Sequence, residues 1–124
     1  MVLVFACIVF AVSSESLATS VDPTGRIAAG SEFTCAIKSD DTVWCWGRND
    51  QGQLGSSAHM ALSESLTPVQ TSTLGGGRVP MKIVAGTEHA CVLATDGSVW
   101  CWGRNGAGQL GVSAGNQADP TQVA

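Results

Sequence analysis

This chain is poor in charge. Only 13% of its 124 residues are Asp, Glu, Lys or Arg, about half the share of an average soluble domain. No basic run occurs, and the formal net charge is −4. A nucleic-acid binder needs a clustered basic footprint, so nucleic acid is not an expected partner. The acidic residues are scattered, as on a solvated surface. His59 and His89 are the only histidines, which leaves little from which to build a general base or a metal ligand set. No apolar run reaches the roughly 20 residues of a membrane-spanning helix. No Gly-x-Ser-x-Gly elbow is present. The glycine run at Gly75 to Gly77 is not followed by Lys-Ser/Thr or a helical pattern, so it is no phosphate cradle. The sequence thus reads as a non-enzyme, with no catalytic residue, cofactor or metal implied.

The first twenty residues, "MVLVFACIVFAVSSESLATS", differ from the rest. The apolar run from Val2 to Val12 suits the core of a secretory signal and is too short for a span. No Lys or Arg precedes Arg26, so the usual positive start is missing. The other reading is a buried strand. Residues 1–18 are therefore read as a signal peptide or apolar segment, and 19–26 as a linker. A signal implies a secreted or extracytoplasmic protein; without one the alternative is cytoplasmic.

What the chain does have is a repeat. The segments opening at Ile27 and Ile83 align without a gap through Gly55 and Gly111, with about 17 of 29 positions identical. Both contain "VWCWGRN", at Val43 to Asn49 and Val99 to Asn105, and both run on through a polar stretch to Pro68 or Pro120. The second of these stretches is four residues shorter. Length variation confined to a connection is how copies of one module behave. Residues 27–82 form repeat 1 and 83–124 repeat 2, which is expected to be truncated because it stops where a further strand should run.

Within each unit, "FTCAI" and "VWCWG" are short and β-prone around a polar turn, which predicts a hairpin. Gly97 stands where the first copy has Asp41, and a glycine there fits a three-residue loop with its last residue left-handed. Such a loop places Cys35 opposite Cys45 and Cys91 opposite Cys101, about 4.5–5.5 Å apart at Cα and within disulfide range. A two-residue loop would offset them. Alternation puts Cys35, Ile37, Val43 and Cys45 on one face and Ala36, Trp44 and Trp46 on the other. Neither face is polar, so both should be covered. Cross-strand disulfides, buried free thiols and a metal site remain alternatives for the cysteines. Removal of a signal carrying Cys7 would leave an even number, as disulfides require.

The pattern from Ala85 and Gly86 through Cys91, Asp96, Gly97, Trp100, Cys101, Trp102, Gly103 and Asn105 to Gly108, Gln109, Leu110 and Gly111 resembles the regulator of chromosome condensation repeat. It is more similar still to the cysteine-containing, alpha-tubulin suppressor-like version. Phe33, where His is common, and Asp41, where Gly is usual, depart from it. The resemblance implies an all-β fold of four-stranded antiparallel β-propeller blades, part of a seven-bladed ring. It gives Trp44, Trp46, Gly47, Gly55, Trp100, Trp102, Gly103 and Gly111 structural roles. Two repeats cannot close a ring, so further repeats in cis or self-association are needed, and the sequence is read as a fragment.

Of the polar residues, His59 is expected exposed and His89, replaced by Phe33 in the first copy, packed. Asp40 and Asp96 are turn formers. Arg48 and Arg104 match between copies and could line one rim as basic groups facing an acidic protein partner. The leading functional reading is a non-catalytic, secreted, protein- or ligand-binding scaffold. The resemblance suggests two alternatives: a guanine nucleotide exchange factor for a small GTPase, and a secreted hydrolase inhibitor.

Overall fold

The structure, a computed structural model, describes residues 24–124. The signal reading and most of the 19–26 linker fall outside the described residues. Eight strands follow in order: β1 (Ile27–Ala29), β2 (Phe33–Ile37), β3 (Val43–Arg48), β4 (Glu64–Gln70), β5 (Pro80–Ala85), β6 (His89–Ala94), β7 (Val99–Gly103) and β8 (Gln117–Gln122). They form two four-stranded antiparallel sheets, β1-β2-β3-β4 and β5-β6-β7-β8, each a meander of neighbours in sequence. The helical elements among the described residues are the 3-10 turns Ser57–His59 and Gly75–Gly77. The all-β, blade-like architecture is therefore as the sequence implied.

Two expectations of extent are corrected. The second sheet has all four strands, because the polar stretch before Pro120 is itself strand β8. A polar, Pro-containing segment pairs well enough at a sheet edge, where one side of its backbone needs no ladder partner. The second sheet also starts at Pro80 rather than Ile83, since Pro80 and Lys82 already pair with Ala94 and Leu93.

The hairpin turns explain the register. Asp41 has φ 63° and Gly97 φ 85°, the left-handed position that the loop requires. Asp40 Oδ1 accepts hydrogen bonds from Thr42 N (3.1 Å) and Thr42 Oγ1 (2.6 Å), and Trp44 Nε1 donates to Thr42 Oγ1 (2.8 Å). Asp96, Ser98 and Trp100 repeat this arrangement at 2.9, 2.6 and 2.9 Å. Each turn thus anchors the first indole of the following strand. These bonds hold the Asp40 and Asp96 carboxyls below their ordinary range, the Thr42 and Ser98 hydroxyls contributing most. With this loop Cys35 pairs with Cys45 and Cys91 with Cys101. Both pairs are bonded, with Cα atoms 4.1 Å apart.

Both outer ladders slip register after the cysteine, between Cys45 and Gly47 and between Cys101 and Gly103. Gly47 has φ 101° and Gly103 φ 97°. A Cβ there would lie 2.3 Å from the Glu32 carbonyl oxygen and 2.5 Å from that of Glu88. A bulge of this shape admits only glycine.

One hydrophobic cluster joins the sheets. The first sheet contributes its cysteine face, with Phe33, Cys35, Ile37, Val43 and Cys45. The second contributes its tryptophan face, with Ala90, Val92, Ala94, Trp100 and Trp102. Trp102 is fully buried, and its Nε1 donates to the Gln53 carbonyl at 2.8 Å. Gly55 lies so close that a Cβ on it would sit 2.8 Å from Trp102 Nε1. Asp119 of β8 reaches back to the first repeat, accepting from Ser57 N (2.8 Å) and Ser72 Oγ (2.5 Å). The apolar pattern on both sides of the hairpin is thus used once between the sheets: cysteine side against tryptophan side. Among the described residues, the opposite faces are less covered. Trp44 and Trp46 are half-buried, and Val99 is 38% exposed where its counterpart Val43 is 6%.

Candidate interaction surface

The bulge at Gly47 sets the direction of the residue after it. Arg48 N donates to the Glu32 carbonyl (2.8 Å), which brings the Arg48 side chain beside the Glu32 side chain. The guanidinium then bonds Glu32 Oε2 (2.5 Å) and Asp50 Oδ2 (2.6 Å). In the second repeat Arg104 N donates to the Glu88 carbonyl (2.9 Å) and the guanidinium bonds Glu88 Oε2 (2.5 Å). The rim of basic groups expected from Arg48 and Arg104 is therefore a row of ion pairs, each closed within its own sheet. Glu32 and Glu88 lie sixteen residues before their arginines and Asp50 two residues after Arg48, and sequence reading missed them. Bonding first to Asp50 and then to Glu32 raises the Arg48 pKa further above its ordinary value. Asp50 is lowered by its bonds from Arg48 and then Gln53. Such exposed pairs are screened by solvent and contribute little to stability, but they present a fixed pattern of both signs.

The loop behind this rim is built by a residue the sequence reading passed over. Asn49 Oδ1 accepts from Leu54 N (3.0 Å), and its Nδ2 donates to the carbonyls of His59 (2.9 Å) and Leu62 (3.1 Å). Asn105 does the same in the second copy, accepting from Leu110 N (2.9 Å) and donating to the carbonyls of Val112 and Ala114. A signal was available: both copies keep Asn five residues before the buried Leu54 or Leu110. His59 is not freely exposed as expected. It is half-buried, and its Nδ1 lies 3.0 Å from Ser56 Oγ. His89 packs on Gly86 as Phe33 packs on Gly30, since a Cβ on either glycine would lie 2.1 Å from the ring.

Around Arg48 the surface opens into a cleft of about 580 Å³, lined by Glu32, Gly47, Arg48, Asp50, Glu64 and Leu66 with Ser63. Leu66 is 86% exposed. It lies in β4, just after the longer connection of the first repeat, which carries exposed Met60 and Leu62. The cleft therefore combines a charge cluster of both signs with an uncovered apolar side chain on a frame fixed by a disulfide, a bulge and a buried asparagine. Among the described residues, no group of three or more His, Cys, Asp or Glu side chains could hold a metal. No helix among them is long and apolar enough to cross a membrane. Gly111, assigned a structural role with Gly55, lies against Val123, where a Cβ would sit 2.9 Å from that side chain.

Comparison with known proteins fits this geometry. Among curated proteins the chain is similar to "RCC1 domain-containing protein RUG3, mitochondrial" of Arabidopsis thaliana, 33% identical over 102 residues. That match covers 82% of this chain and 22% of the relative. It is 35% identical over 92 residues to "Probable E3 ubiquitin-protein ligase HERC4" of Homo sapiens, covering 73% of this chain and 8% of that one. The chain thus spans under a quarter of the length of these relatives. Among solved structures it is similar to Prp20p of Saccharomyces cerevisiae, at TM-score 0.62 and 30% identity over 78% of this chain and 24% of that one. It is also similar to a chain of the complex of Kap60 with yeast RCC1 (Prp20), at TM-score 0.69 and 25% identity over 78% and 25%. The first of these studies describes binding of Prp20p to Gsp1p and histones. Profiles described as "Regulator of chromosome condensation (RCC1) repeat" match residues 26–53 and 82–109, and residues 40–93 and 96–124. With both repeats matched and two propeller-type sheets in place, the chain belongs to the regulator of chromosome condensation repeat family.

Proposed function

We propose that this chain is a non-catalytic protein-binding scaffold whose contact surface is the Arg48 cleft. The observation that carries the reading is the exposure of Leu66 beside the Glu32–Arg48–Asp50 cluster on a rigid frame. Protein interfaces favour an apolar anchor ringed by oriented polar groups, with arginine enriched. The partner side chain would place an apolar group on Leu66 and meet the fixed charges with complementary ones. Two bonded cysteine pairs suit an oxidising compartment, and this supports the extracytoplasmic reading of the sequence over the cytoplasmic one.

The solved relative Prp20p supplies candidate ligands for a test, because binding to Gsp1p and histones is described for it. The chain is titrated with Gsp1p, with a panel of small GTPases and with histones, as wild type and as Leu66→Asp and Arg48→Glu. Saturable binding that both substitutions weaken about tenfold or more, the scale of a lost interface anchor, supports the scaffold reading. Binding indifferent to both substitutions removes the cleft as the contact surface. Faster nucleotide release from the GTPase would replace the scaffold reading with exchange activity.

A further inference from the structure

We propose that the cleft at the junction of the two repeats binds a free α-amino acid with an apolar side chain. The cleft holds about 230 Å³, below the roughly 300–1,000 Å³ of a site for a drug-sized molecule, so it takes a small ligand. Its walls come from the first hairpin turn, the end of β4, the Gly75–Gly77 turn and the start of β5. Both repeats and the connection between them are therefore needed to form it. Val43, Leu74, Val79 and Pro80 give it an apolar lining, and Asp41 and Arg78 bring one charge of each sign. None of these residues lines the Arg48 cleft, so the inference stands apart from the proposed function.

Arg78 is held ready for an anion. Its Nε donates to Asp96 Oδ2 at 2.9 Å and its Nη1 to the Gly75 carbonyl. The guanidinium also lies 5.4 Å from the centre of the Trp100 ring. Gly76 leaves room for it, since a Cβ there would collide with Arg78 Nη1. Among the described residues Nη2 has no partner, so its N–H groups stay available to a carboxylate. An arginine fixed in this way loses little freedom when it binds one. Asp41 supplies the opposite charge. Among the described residues it is the one non-glycine with a left-handed backbone, φ 63°. Such a conformation is costly for a residue with a Cβ, and residues held in it cluster at binding sites. The turn does not require the carboxylate, because Gly97 closes the second turn with the same set of bonds. Asp41 Oδ1 meets Arg26 Nη2 at 3.2 Å. Asp41 Oδ2 has no partner among the described residues, which leaves it to accept from an ammonium. A simple anion in the cleft would be repelled by Asp41, and a simple cation by Arg78. A zwitterion satisfies both and lays its side chain on the apolar wall.

The full chain is titrated with leucine and with phenylalanine by calorimetry and by tryptophan emission, which reports on Trp100 beside Arg78. One saturable site per chain is expected. Leucinamide lacks the carboxylate, N-acetyl-leucine the ammonium and glycine the side chain. Each should bind at least about tenfold more weakly than leucine, the scale of one lost charged hydrogen bond or one lost aliphatic group. Asp41→Asn keeps a residue that tolerates the left-handed backbone and should erase the difference between leucine and N-acetyl-leucine. Arg78→Gln should erase the difference between leucine and leucinamide. If Arg78→Gln unfolds, Arg78→Lys keeps a cation over Trp100 without the planar fork and should weaken leucine binding by a similar factor. No saturable binding of leucine or phenylalanine up to their solubility overturns the proposal. N-acetyl-leucine or leucinamide binding as tightly as leucine also overturns it, since the site would then read a single charge. So does a leucine affinity that neither Asp41→Asn nor the Arg78 variant changes, because the ligand would then sit elsewhere.

Discussion

Substituting Gly55 with alanine should reveal how the two repeats lock together. Gly55 has φ 69°, and a Cβ there would lie 2.8 to 3.0 Å from three atoms of the Trp102 indole. Two costs follow. The left-handed backbone costs a residue with a Cβ about 1–2 kcal/mol. The methyl also overpacks the interface, which costs about 1–3 kcal/mol in a well-packed core. Gly55→Ala should therefore destabilise by about 2–5 kcal/mol. Trp102→Leu removes the Nε1 and Cε2 atoms the methyl would meet. It strands the Gln53 carbonyl and leaves a cavity, at a cost below the about 3–5 kcal/mol of truncating a buried tryptophan to alanine. In the Trp102→Leu background only the backbone cost of Gly55→Ala should remain, about 1–2 kcal/mol. The double-mutant cycle should then show coupling of about 1–3 kcal/mol, within the range for residues in contact. Urea unfolding followed by far-ultraviolet circular dichroism measures all four proteins without relying on the altered fluorophore. Additivity within about 0.5 kcal/mol would refute the placement of Gly55 against Trp102.

Three further outcomes are specific to residues described above. Each bridge spans a sequence separation of 10, for which loop-closure entropy predicts about 2.7 kcal/mol; Cys91→Ala with Cys101→Ala should lower the unfolding free energy by about that amount, and an unchanged midpoint would mean the pair contributes nothing. The Thr34 hydroxyl is buried without a hydrogen-bond partner, and the second repeat has Ala90 there. Thr34→Val should thus raise stability by up to about 1–3 kcal/mol, the cost of an unsatisfied buried group, and a loss in thermal melts would show that the hydroxyl is bonded. Burial pushes the Asp119 pKa up, but hydrogen bonds from Ser72 and Ser57 outweigh it, and the folded value lies below the ordinary 3.8. The stabilisation it gives is present above that ordinary value and lost as pH falls through the folded one. Asp119→Asn should lower the melting temperature at neutral pH and make its decline in acid shallower, and parallel profiles for the two proteins would contradict this.

The hairpin, its register and its cysteine partners were legible because two copies of one module constrained each other. Gly97 revealed what Asp41 must do, and the turn then fixed which residues oppose. The extent of the second sheet was not legible. β8 carries four polar residues and a proline, and only pairing to β7 makes it a strand. The charge partners of Arg48 and Arg104 were hidden for a related reason. Glu32 and Glu88 come near only because Gly47 and Gly103 bend the outer ladder, and a bulge leaves no mark on alternation. The face-to-face rule was hidden as well: alternation says which residues share a side, and says nothing about which side meets which.

The two prolines set a direction for anything built from these repeats. Thr71 and Val123 turn their N–H groups inward to the carbonyls of Val43 and Val99. Alternation then puts Pro68 and Pro120 where an N–H would point outward, at the free margin of β4 and β8. A visiting strand from another molecule finds a missing donor at that margin in both sheets, which blunts amyloid-like lateral growth. The repeats can stack like pages and are hindered from being zipped edge to edge.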